Sequence, residues 1–217
     1  MTGAVKDPNK VKNDVVLLHG IHTTGQYNTG KFARPLKRAG FRIQDFKQPV
    51  TLLHHTWLNS ERDQAQTDAL TKATEHTRPN LIAHSNGARL AAMAMDRGAK
   101  FDTILFLAPA WCSKKGYPEQ AFNRMYVVHS SADIALWLGG MIPRHDFGWL
   151  GIKGYRGKPD RRITNIHASP TSHMGYFAPG HFQRWSRFAI KAFEHRLPSP
   201  EPASSHVLLG EFMASTR

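Results

Sequence analysis

Short apolar runs alternate with helical patterns over most of this sequence. Runs of apolar and β-branched residues bounded by Gly, Pro or polar residues predict buried strands, and apolar residues spaced three and four positions apart predict helices. Six strands are predicted in this way, at residues 15–18, 41–46, 81–83, 103–107, 125–129 and 163–166. Helices are predicted at residues 31–39, 61–77, 88–97 and 179–195, with a short apolar helix that ends at residue 138.

The order of these elements decides the expected fold class. Strands that alternate with helices form βαβ units, which place the strands parallel in one sheet with helices on its faces. We therefore expect a single three-layer α/β domain over residues 1–197, with 1–13 as a loose leader and 198–217, rich in Pro and Ser, as a tail. In such a sheet the loops that follow the strands meet at one edge, where sites form.

The segment Ala83-His84-Ser85-Asn86-Gly87 joins the third predicted strand to the helix after it. A tight turn between a strand and a helix strains the backbone of its serine and exposes the hydroxyl at the top of the sheet. The turn requires small residues two positions before and two positions after the serine, and Ala83 and Gly87 meet that requirement. A simpler interpretation also fits the pattern, in which Ser85 only caps the following helix.

Three other loops that follow predicted strands carry polar residues suited to catalysis. One begins at His19 after the first strand, one carries Asp133, and one carries His173 before the last helix. All three are expected at the same edge of the sheet as Ser85. A histidine can take the proton of a serine hydroxyl, and a carboxylate can orient that histidine.

In these segments the chain resembles the α/β-hydrolase superfamily, over about residues 14–195. The matching residues are Leu18-His19-Gly20-Ile21, Ala83-His84-Ser85-Asn86-Gly87, Ser131-Ala132-Asp133 and Ser172-His173. The superfamily orders its catalytic residues as Ser, acid, His, and Ser85, Asp133 and His173 follow that order. The usual first two strands have no room before Val15. The resemblance therefore implies a trimmed, mostly parallel sheet of about six strands, as in small esterases and cutinase-like lipases.

The resemblance implies a serine hydrolase that cleaves a carboxylic ester through an acyl-enzyme intermediate. Ser85 would be the nucleophile, His173 the acid and base, and Asp133 the carboxylate that fixes the tautomer of His173. The backbone N–H groups of Ile21 and Asn86 would bind the oxyanion of the tetrahedral intermediate.

Other residues compete for these roles, since the sequence holds 13 histidines. The rivals of His173 and Asp133 are His167, His181, His195, Asp102 and Asp146. Asp133 itself can instead be a cap for the helix that follows it. We expect His19 to brace the oxyanion loop and His84 to shape the pocket beside the serine.

Composition indicates a globular protein with a strongly basic surface. Of the 217 residues 41% are hydrophobic and 21% are charged, and the net charge is +13. The 29 Lys and Arg residues are scattered and no nucleic-acid-binding motif appears, so we expect weak attraction to anionic surfaces and no specific nucleic acid. The single cysteine, Cys112, excludes an internal disulfide. Because the sequence shows no signal peptide and no transmembrane segment, we expect a cytoplasmic protein.

Neither a cofactor nor a metal ion is expected. The histidines that offer metal ligands are His19 with His22, the pair His54-His55, and His145 with Asp146. None of them shows the spacing of a known catalytic zinc motif. Metal-dependent hydrolysis is therefore the weaker alternative.

Aromatic residues lie in or beside the loops expected above the site. Trp111, Trp137 and Trp149 predict an apolar acyl pocket, with residues 139–160 as a partial cover, although some of these side chains will pack beneath that loop. The expected substrate is an ester of a lipid or another hydrophobic acyl group, with amide, thioester and wall-polymer ester left open. Two other function classes remain: a non-catalytic binding or scaffold protein with the α/β-hydrolase fold, and a basic nucleic-acid-binding protein.

Overall fold

The computed structural model describes residues 12–44, 46–50, 52, 60–142, 147–168, 170–197 and 207–208. The strands within them are β1 (Lys12–Leu18), β2 (Phe41–Ile43), β3 (Asn80–His84), β4 (Phe101–Leu107), β5 (Phe122–His129), β6 (Ile163–His167) and β7 (Val207–Leu208). The α-helices are α1 (Ala33–Arg38), α2 (Glu61–Thr74), α3 (Asn86–Asp96), α4 (Ile134–Gly140), α5 (Leu150–Lys153) and α6 (Pro179–Phe193). Short 3-10 helices span Thr29–Phe32 and Gly175–Phe177.

All of these strands are parallel and form one sheet in the order β2-β1-β3-β4-β5-β6-β7. The chain passes from β1 to the edge strand β2 and then crosses back to add β3 on the other side of β1. A reversal of this kind leaves a crevice at the carboxyl ends of the two strands at which it occurs, here β1 and β3. The loops that follow β1 and β3 border this crevice, and they are the loops that carry His19 and Ser85.

Each face of the sheet has its own hydrophobic core, because side chains along a strand point alternately to the two faces. Ile82 belongs to the core that contains Trp185 and Phe188 of α6. Its neighbour Leu81 belongs to the opposite core, with Ala91 of α3. The helices α1 and α6 therefore cover one face, and α2 and α3 cover the other. This arrangement confirms the predicted three-layer α/β class.

A buried ion pair joins the two helices of the second layer. Arg89 in α3 donates a hydrogen bond to the Oδ2 atom of Asp63 in α2, and both side chains are almost completely buried. Removal of either partner of such a pair strongly lowers the stability of the fold, because the remaining charge stays buried. The pair fixes α2 against the helix that begins directly after Ser85.

Several elements differ from the sequence-based prediction. β1 begins at Lys12, in the segment expected to be a loose leader, because backbone pairing extends a strand into polar residues. β2 ends at Ile43, short of the predicted residue 46. α5 lies inside residues 139–160, where no helix was predicted. A helix of four residues is too short to show a periodic pattern.

A further difference is β7, which pairs with β6 although it lies in the predicted tail. Two residues carry no periodic signal, and only the neighbouring strand determines that they pair. The division into one domain with a leader and a tail stays a prediction. No helix in the described part of the chain has the length and apolar composition needed to cross a membrane.

Candidate active site

Ser85 occupies the turn between β3 and α3 in a strained backbone conformation. Its φ is 53° and its ψ is −122°, a region that residues with a side chain rarely adopt. Three hydrogen bonds hold the turn: the Ser85 N–H donates to the carbonyl of Leu107 over 3.2 Å, and the Ser85 carbonyl accepts from Ala88 over 3.1 Å and from Ala110 over 3.2 Å. The hydroxyl forms no capping hydrogen bond with α3 in the described structure. Ser85 is therefore not a helix cap through its side chain.

Two glycines allow this turn to pack against the loop after β1. A Cβ atom at Gly87 would lie 2.7 Å from the carbonyl oxygens of both Leu18 and His19, which is too close for any real side chain. A Cβ atom at Gly20 would lie 3.1 Å from the Cβ of Ser85. The small residues on both sides of the contact thus bring the serine turn and the predicted oxyanion loop together.

Asp133 and His173 are joined by a hydrogen bond, although 40 positions separate them. His173 Nδ1 donates to Asp133 Oδ2 over 2.8 Å, and the Asp133 side chain is fully buried. The other carboxylate oxygen, Oδ1, accepts from the N–H of Leu136 in the first turn of α4 over 3.1 Å. Asp133 is therefore both a helix cap and the hydrogen-bond partner of His173, so the two interpretations of this residue are compatible.

The buried hydroxyl of Ser130 ties the loop of Asp133 to the loop of His173. Ser130 Oγ accepts one hydrogen bond from the N–H of Ala132 and another from the N–H of Thr171, each over 3.2 Å. Ala132 directly precedes Asp133, and Thr171 lies two residues before His173. A single side chain at the end of β5 thus sets the spacing between the carboxylate and the imidazole.

His84 packs beneath His173. The two ring centroids are 4.6 Å apart, and His84 Nε2 lies 3.0 Å from the carbonyl oxygen of His173. Phe177 packs edge-on against the other side of the His84 ring, with centroids 5.0 Å apart. Burial, together with the nearby charge of His173, holds the pKa of His84 well below its ordinary value. His84 is therefore a neutral support for His173, which agrees with the expectation that it shapes the pocket.

Two backbone N–H groups, those of Ile21 and Asn86, are predicted to bind an oxyanion. Ile21 follows Gly20 in the loop that packs against the Ser85 turn, and Asn86 directly follows Ser85. The N–H of Asn86 is the first of α3, and the first N–H groups of a helix have no partner inside it. Neither it nor the N–H of Ile21 donates a hydrogen bond to another group within the described residues. Their role as donors to an oxyanion stays a prediction.

The loop that carries Ile21 is braced by His19 and Gln48. The His19 N–H donates to Gln48 Oε1 over 2.7 Å, and Gln48 Nε2 donates to the carbonyl of His19 over 3.0 Å. The His19 ring adds contacts from Nδ1 to the carbonyl of Gly20 over 2.8 Å and from Nε2 to the carbonyl of Gln48 over 3.1 Å. The predicted bracing role of His19 is consistent with these contacts.

A cavity of about 430 Å³ opens beside Ser85. Ser85, His84 and His173 lie along it with the loop residues Gly20 to Thr23. The other walls are mostly apolar and consist of Ala110, Ala135, Leu136, Leu138, Gly139, Ile142, Phe147 and Met174, with Asn28 as a polar member. No direct hydrogen bond joins Ser85 Oγ to the His173 ring in the described structure, and such bonds often tighten only when substrate binds.

The three tryptophans predicted to form the acyl pocket do not line this cavity. Trp111 is buried in the core on the α3 side of the sheet. Trp137 and Trp149 pack edge-on against each other with centroids 4.9 Å apart, outside the cavity. Aliphatic side chains and Phe147 form the walls instead: Leu136 and Leu138 of α4 line the cavity, whereas Trp137 of the same helix does not.

The rival histidines and acids that the structure describes do not line the cavity either. His195 Nε2 lies 2.9 Å from Asp102 Oδ2, at the amino end of β4 and so at the opposite edge of the sheet. His167 packs against His129 with ring centroids 5.2 Å apart, and His181 is exposed on α6. Asp146 lies outside the described residues.

Potential metal ligands are dispersed in the described part of the chain. No three His, Cys, Asp or Glu side chains come together there in a group able to hold a metal ion. His22 lines the cavity beside Ile21, and His19 faces backbone carbonyl groups. His54, His55 and His145 lie outside the described residues.

Sequence reasoning missed two residues that build the site. Ser130 and Gln48 form no recognisable motif with the residues they support, and their partners lie 41 and 29 positions away. The only sequence signal for Ser130 was its place directly after the fifth predicted strand, where loop residues border the site.

Comparison with known proteins gives matches in structure alone. The sequence matches no family model and no curated protein. The monoacylglycerol lipase of Paleococcus ferrophilus superimposes with a TM-score of 0.55 at 15% identity, over 84% of this chain and 94% of the lipase. A Xanthomonas campestris protein, assigned provisionally to the hydrolases of the α/β superfamily, gives a TM-score of 0.52 at 14% identity, over 85% of this chain and 99% of that protein. The Thermus thermophilus protein TT1662 gives a TM-score of 0.55 at 14% identity, over 87% and 90% of the two chains.

These similarities define the fold. The structural neighbours across most of the chain are members of the α/β-hydrolase superfamily, and this chain has the α/β-hydrolase fold. The fold predicted from the sequence is thereby confirmed. At such low identity the similarity does not extend to a reaction or a substrate, because one fold supports many chemistries.

Proposed function

We propose that this chain is a serine hydrolase that cleaves a carboxylic ester with a hydrophobic acyl group through an acyl-enzyme intermediate. One observation carries the proposal. Ser85, strained at its turn, lines the same apolar cavity as His173, whose Nδ1 is bonded to the buried Asp133. Acyl transfer by serine requires a base that can reach the nucleophile and a carboxylate that orients the base.

In the first half of the proposed reaction, Ser85 Oγ attacks the ester carbonyl carbon and His173 Nε2 takes the hydroxyl proton. The bond to the alcohol oxygen then breaks, and His173 returns the proton to that oxygen. In the second half a water molecule attacks the acyl-enzyme, with His173 again as base and then as acid. Asp133 keeps the other proton on Nδ1, so that Nε2 presents its lone pair to the serine.

The developing negative charge on the ester oxygen needs hydrogen-bond donors. The backbone N–H groups of Ile21 and Asn86 have no other acceptor within the described residues, which supports them for this role. The hydrogen bonds between His19 and Gln48 keep the loop of Ile21 in place. Loss of one such donor typically lowers the rate by about 10²–10³.

The walls of the cavity support a hydrophobic acyl group as the part of the substrate bound there. Leu138, Ile142 and Phe147 offer apolar surface to an alkyl chain. They offer no group that could pair with a charged group of a substrate. An amide would need more stabilisation of the leaving group, so an ester is the preferred substrate.

Covalent labelling with a fluorophosphonate probe tests the proposal. The wild-type chain should be labelled, Ser85→Ala should not be labelled at all, and His173→Ala and Asp133→Asn should be labelled far more slowly. Ser172→Ala and His181→Ala are matched controls, since they remove a serine beside the site and a histidine on the exposed side of α6, and both should label like the wild type.

A series of p-nitrophenyl esters of increasing chain length then locates the acyl pocket. We expect kcat/KM to rise with chain length until the alkyl chain fills the cavity. If the folded wild type is not labelled, the proposal is wrong and the non-catalytic binding protein becomes the better interpretation. DNA binding with a steep salt dependence that persists in Ser85→Ala would instead favour the nucleic-acid-binding alternative.

A further inference from the structure

The helix α4 presents an apolar face to solvent. Every residue from 134 to 142 is apolar or glycine. The exposed fractions are 70% for Ile134, 42% for Trp137, 59% for Leu138 and 63% for Met141. These positions follow the spacing i, i+3, i+4 and i+7, so they share one side of the helix, while Leu136 points into the core. A helix that is apolar on all sides is normally buried, and a contiguous exposed apolar face indicates a binding surface.

This face is continuous with the mouth of the cavity. Leu138 is exposed to solvent and also lines the cavity, together with Ile142 one turn further on. Met174, which follows His173 and also lines the cavity, is 47% exposed. A molecule that enters the cavity therefore crosses a rim of exposed apolar side chains.

The charges around this face are positive. The Trp137 ring packs on Trp149, and the amine of Lys153 lies 4.9 Å from the centroid of the Trp149 ring. Arg156 donates a hydrogen bond to the carbonyl of Lys153 and is exposed. The single acid among the described residues from 129 to 156 is Asp133, which is buried. Among the described residues of that part of the chain, the apolar face is therefore bordered by cations and by no exposed carboxylate.

We propose that α4 docks the protein on the surface of an anionic phospholipid bilayer. Its apolar side chains insert among the lipids, Trp137 lies at the headgroup level where tryptophan is enriched, and Lys153 and Arg156 contact the anionic headgroups. A second copy of the chain is the less suitable occupant, since two molecules with a net charge of +13 repel each other. The role of the docked state rests on the proposed function: it places the cavity mouth at the lipid surface, where a hydrophobic ester can enter directly.

Sedimentation with lipid vesicles tests the docking. The wild-type chain should bind vesicles of phosphatidylcholine mixed with phosphatidylglycerol, and should bind vesicles of phosphatidylcholine alone much more weakly. The double variant Ile134→Ser, Met141→Gln removes apolar area without a change of charge and alters no residue of the cavity wall. We expect it to weaken binding to the anionic vesicles by at least about tenfold.

The matched control is Val50→Ser, Leu52→Gln, which makes the same kind of change at two exposed apolar residues outside α4. It should bind like the wild type. Equal binding by the wild type and the α4 variant would overturn the proposal. So would a dimer that the α4 variant dissociates, because the face would then be an interface between two copies.

Binding measured with Ser85→Ala separates this proposal from the proposed function. Vesicle binding that is retained in Ser85→Ala and weakened by the α4 variant supports the docking surface, whether or not any ester is hydrolysed. Normal hydrolysis of a soluble short-chain p-nitrophenyl ester without vesicle binding would support the hydrolase and overturn the docking surface.

Discussion

His84 donates a hydrogen bond from Nε2 to the backbone carbonyl of His173 over 3.0 Å, and the two imidazole rings pack with centroids 4.6 Å apart. A carbonyl oxygen only accepts, so the proton of neutral His84 is on Nε2. Its Nδ1 atom is buried and has no hydrogen-bond partner in the described structure. The residue directly before the proposed nucleophile thus holds the main chain of the proposed base, and it does so as an uncharged ring.

The buried state of His84 predicts a pH dependence of stability. Its pKa is held well below the ordinary value of about 6.5, first by burial and then by the charge of His173. The lowered pKa belongs to the folded chain and the ordinary pKa to the unfolded chain. At a pH between the two, the unfolded chain binds a proton at His84 that the folded chain does not, so stability falls as pH falls. Above about pH 6.5 His84 should not change the free energy of unfolding with pH. Below that pH it should lower the free energy of unfolding by up to about 1.4 kcal/mol for each pH unit.

Urea unfolding at a series of pH values measures this contribution. His84→Gln keeps an amide donor for the carbonyl of His173 but removes the titrating ring, so its stability should fall less steeply than that of the wild type on acidification. His181→Gln removes an exposed histidine and should keep the wild-type slope. Identical slopes for His84→Gln and the wild type would contradict the prediction.

Removal of the Ser130 hydroxyl should loosen the site. Ser130→Ala leaves the N–H groups of Ala132 and Thr171 without their acceptor, and the group of Thr171 is buried. We expect a loss of about 1–3 kcal/mol in the free energy of unfolding. The rate of labelling by the fluorophosphonate should also fall at a temperature where the variant is fully folded, because the distance between Asp133 and His173 is no longer fixed.

Ser186→Ala is the control for Ser130→Ala. Ser186 is also buried, but its hydroxyl has no hydrogen-bond partner within the described residues. Its replacement should leave both stability and labelling nearly unchanged, or raise stability slightly. A similar loss in both variants would mean that Ser130 acts only through packing.

Two glycines in equivalent positions should respond in opposite ways to alanine. Gly87 is the second residue of α3, and Gly180 is the second residue of α6. A Cβ at Gly87 would meet the carbonyl oxygens of Leu18 and His19 at 2.7 Å, whereas nothing lies within 4 Å of a Cβ at Gly180. Gly87→Ala should therefore cost about 1–3 kcal/mol or more, and Gly180→Ala should stabilise by up to about 1 kcal/mol.

Thermal unfolding of the two variants checks this difference. The melting temperature should fall for Gly87→Ala and stay equal or rise for Gly180→Ala. An unchanged melting temperature for Gly87→Ala would show that the loop after β1 can move away from the serine turn, and that the contact does not require glycine.

The fold was largely predictable from the sequence. Apolar runs such as that around Leu81 mark the strands, and the regular spacing of apolar residues in α6 marks its buried face. Both signals are local, so they need no knowledge of the rest of the chain. The elements missed or misplaced include β7, α5, the start of β1 and the end of β2, where the element is too short or too polar to show a pattern.

The candidate site was predictable only in its outline. The order of Ser85, Asp133 and His173 along the chain and their places after strands put them at one edge of a parallel sheet, because every strand in such a sheet ends at the same side. Their catalytic roles stay a prediction. The acyl pocket of tryptophans was inferred from residue type alone. Residue type does not determine whether a side chain such as that of Trp137 lines the cavity.

The sequence by itself determined the class of fold, the strand, turn and helix around Ser85, and the edge of the sheet at which polar loops meet, since each of these follows from periodicity and the size of neighbouring residues. Only the tertiary structure decided which groups touch. The link from Ser130 to Thr171, the support of His173 by His84, and the exposed apolar face of α4 all depend on contacts, or on missing contacts, between segments far apart in the chain. No local pattern encodes such distances, because they are set by the packing of the whole domain.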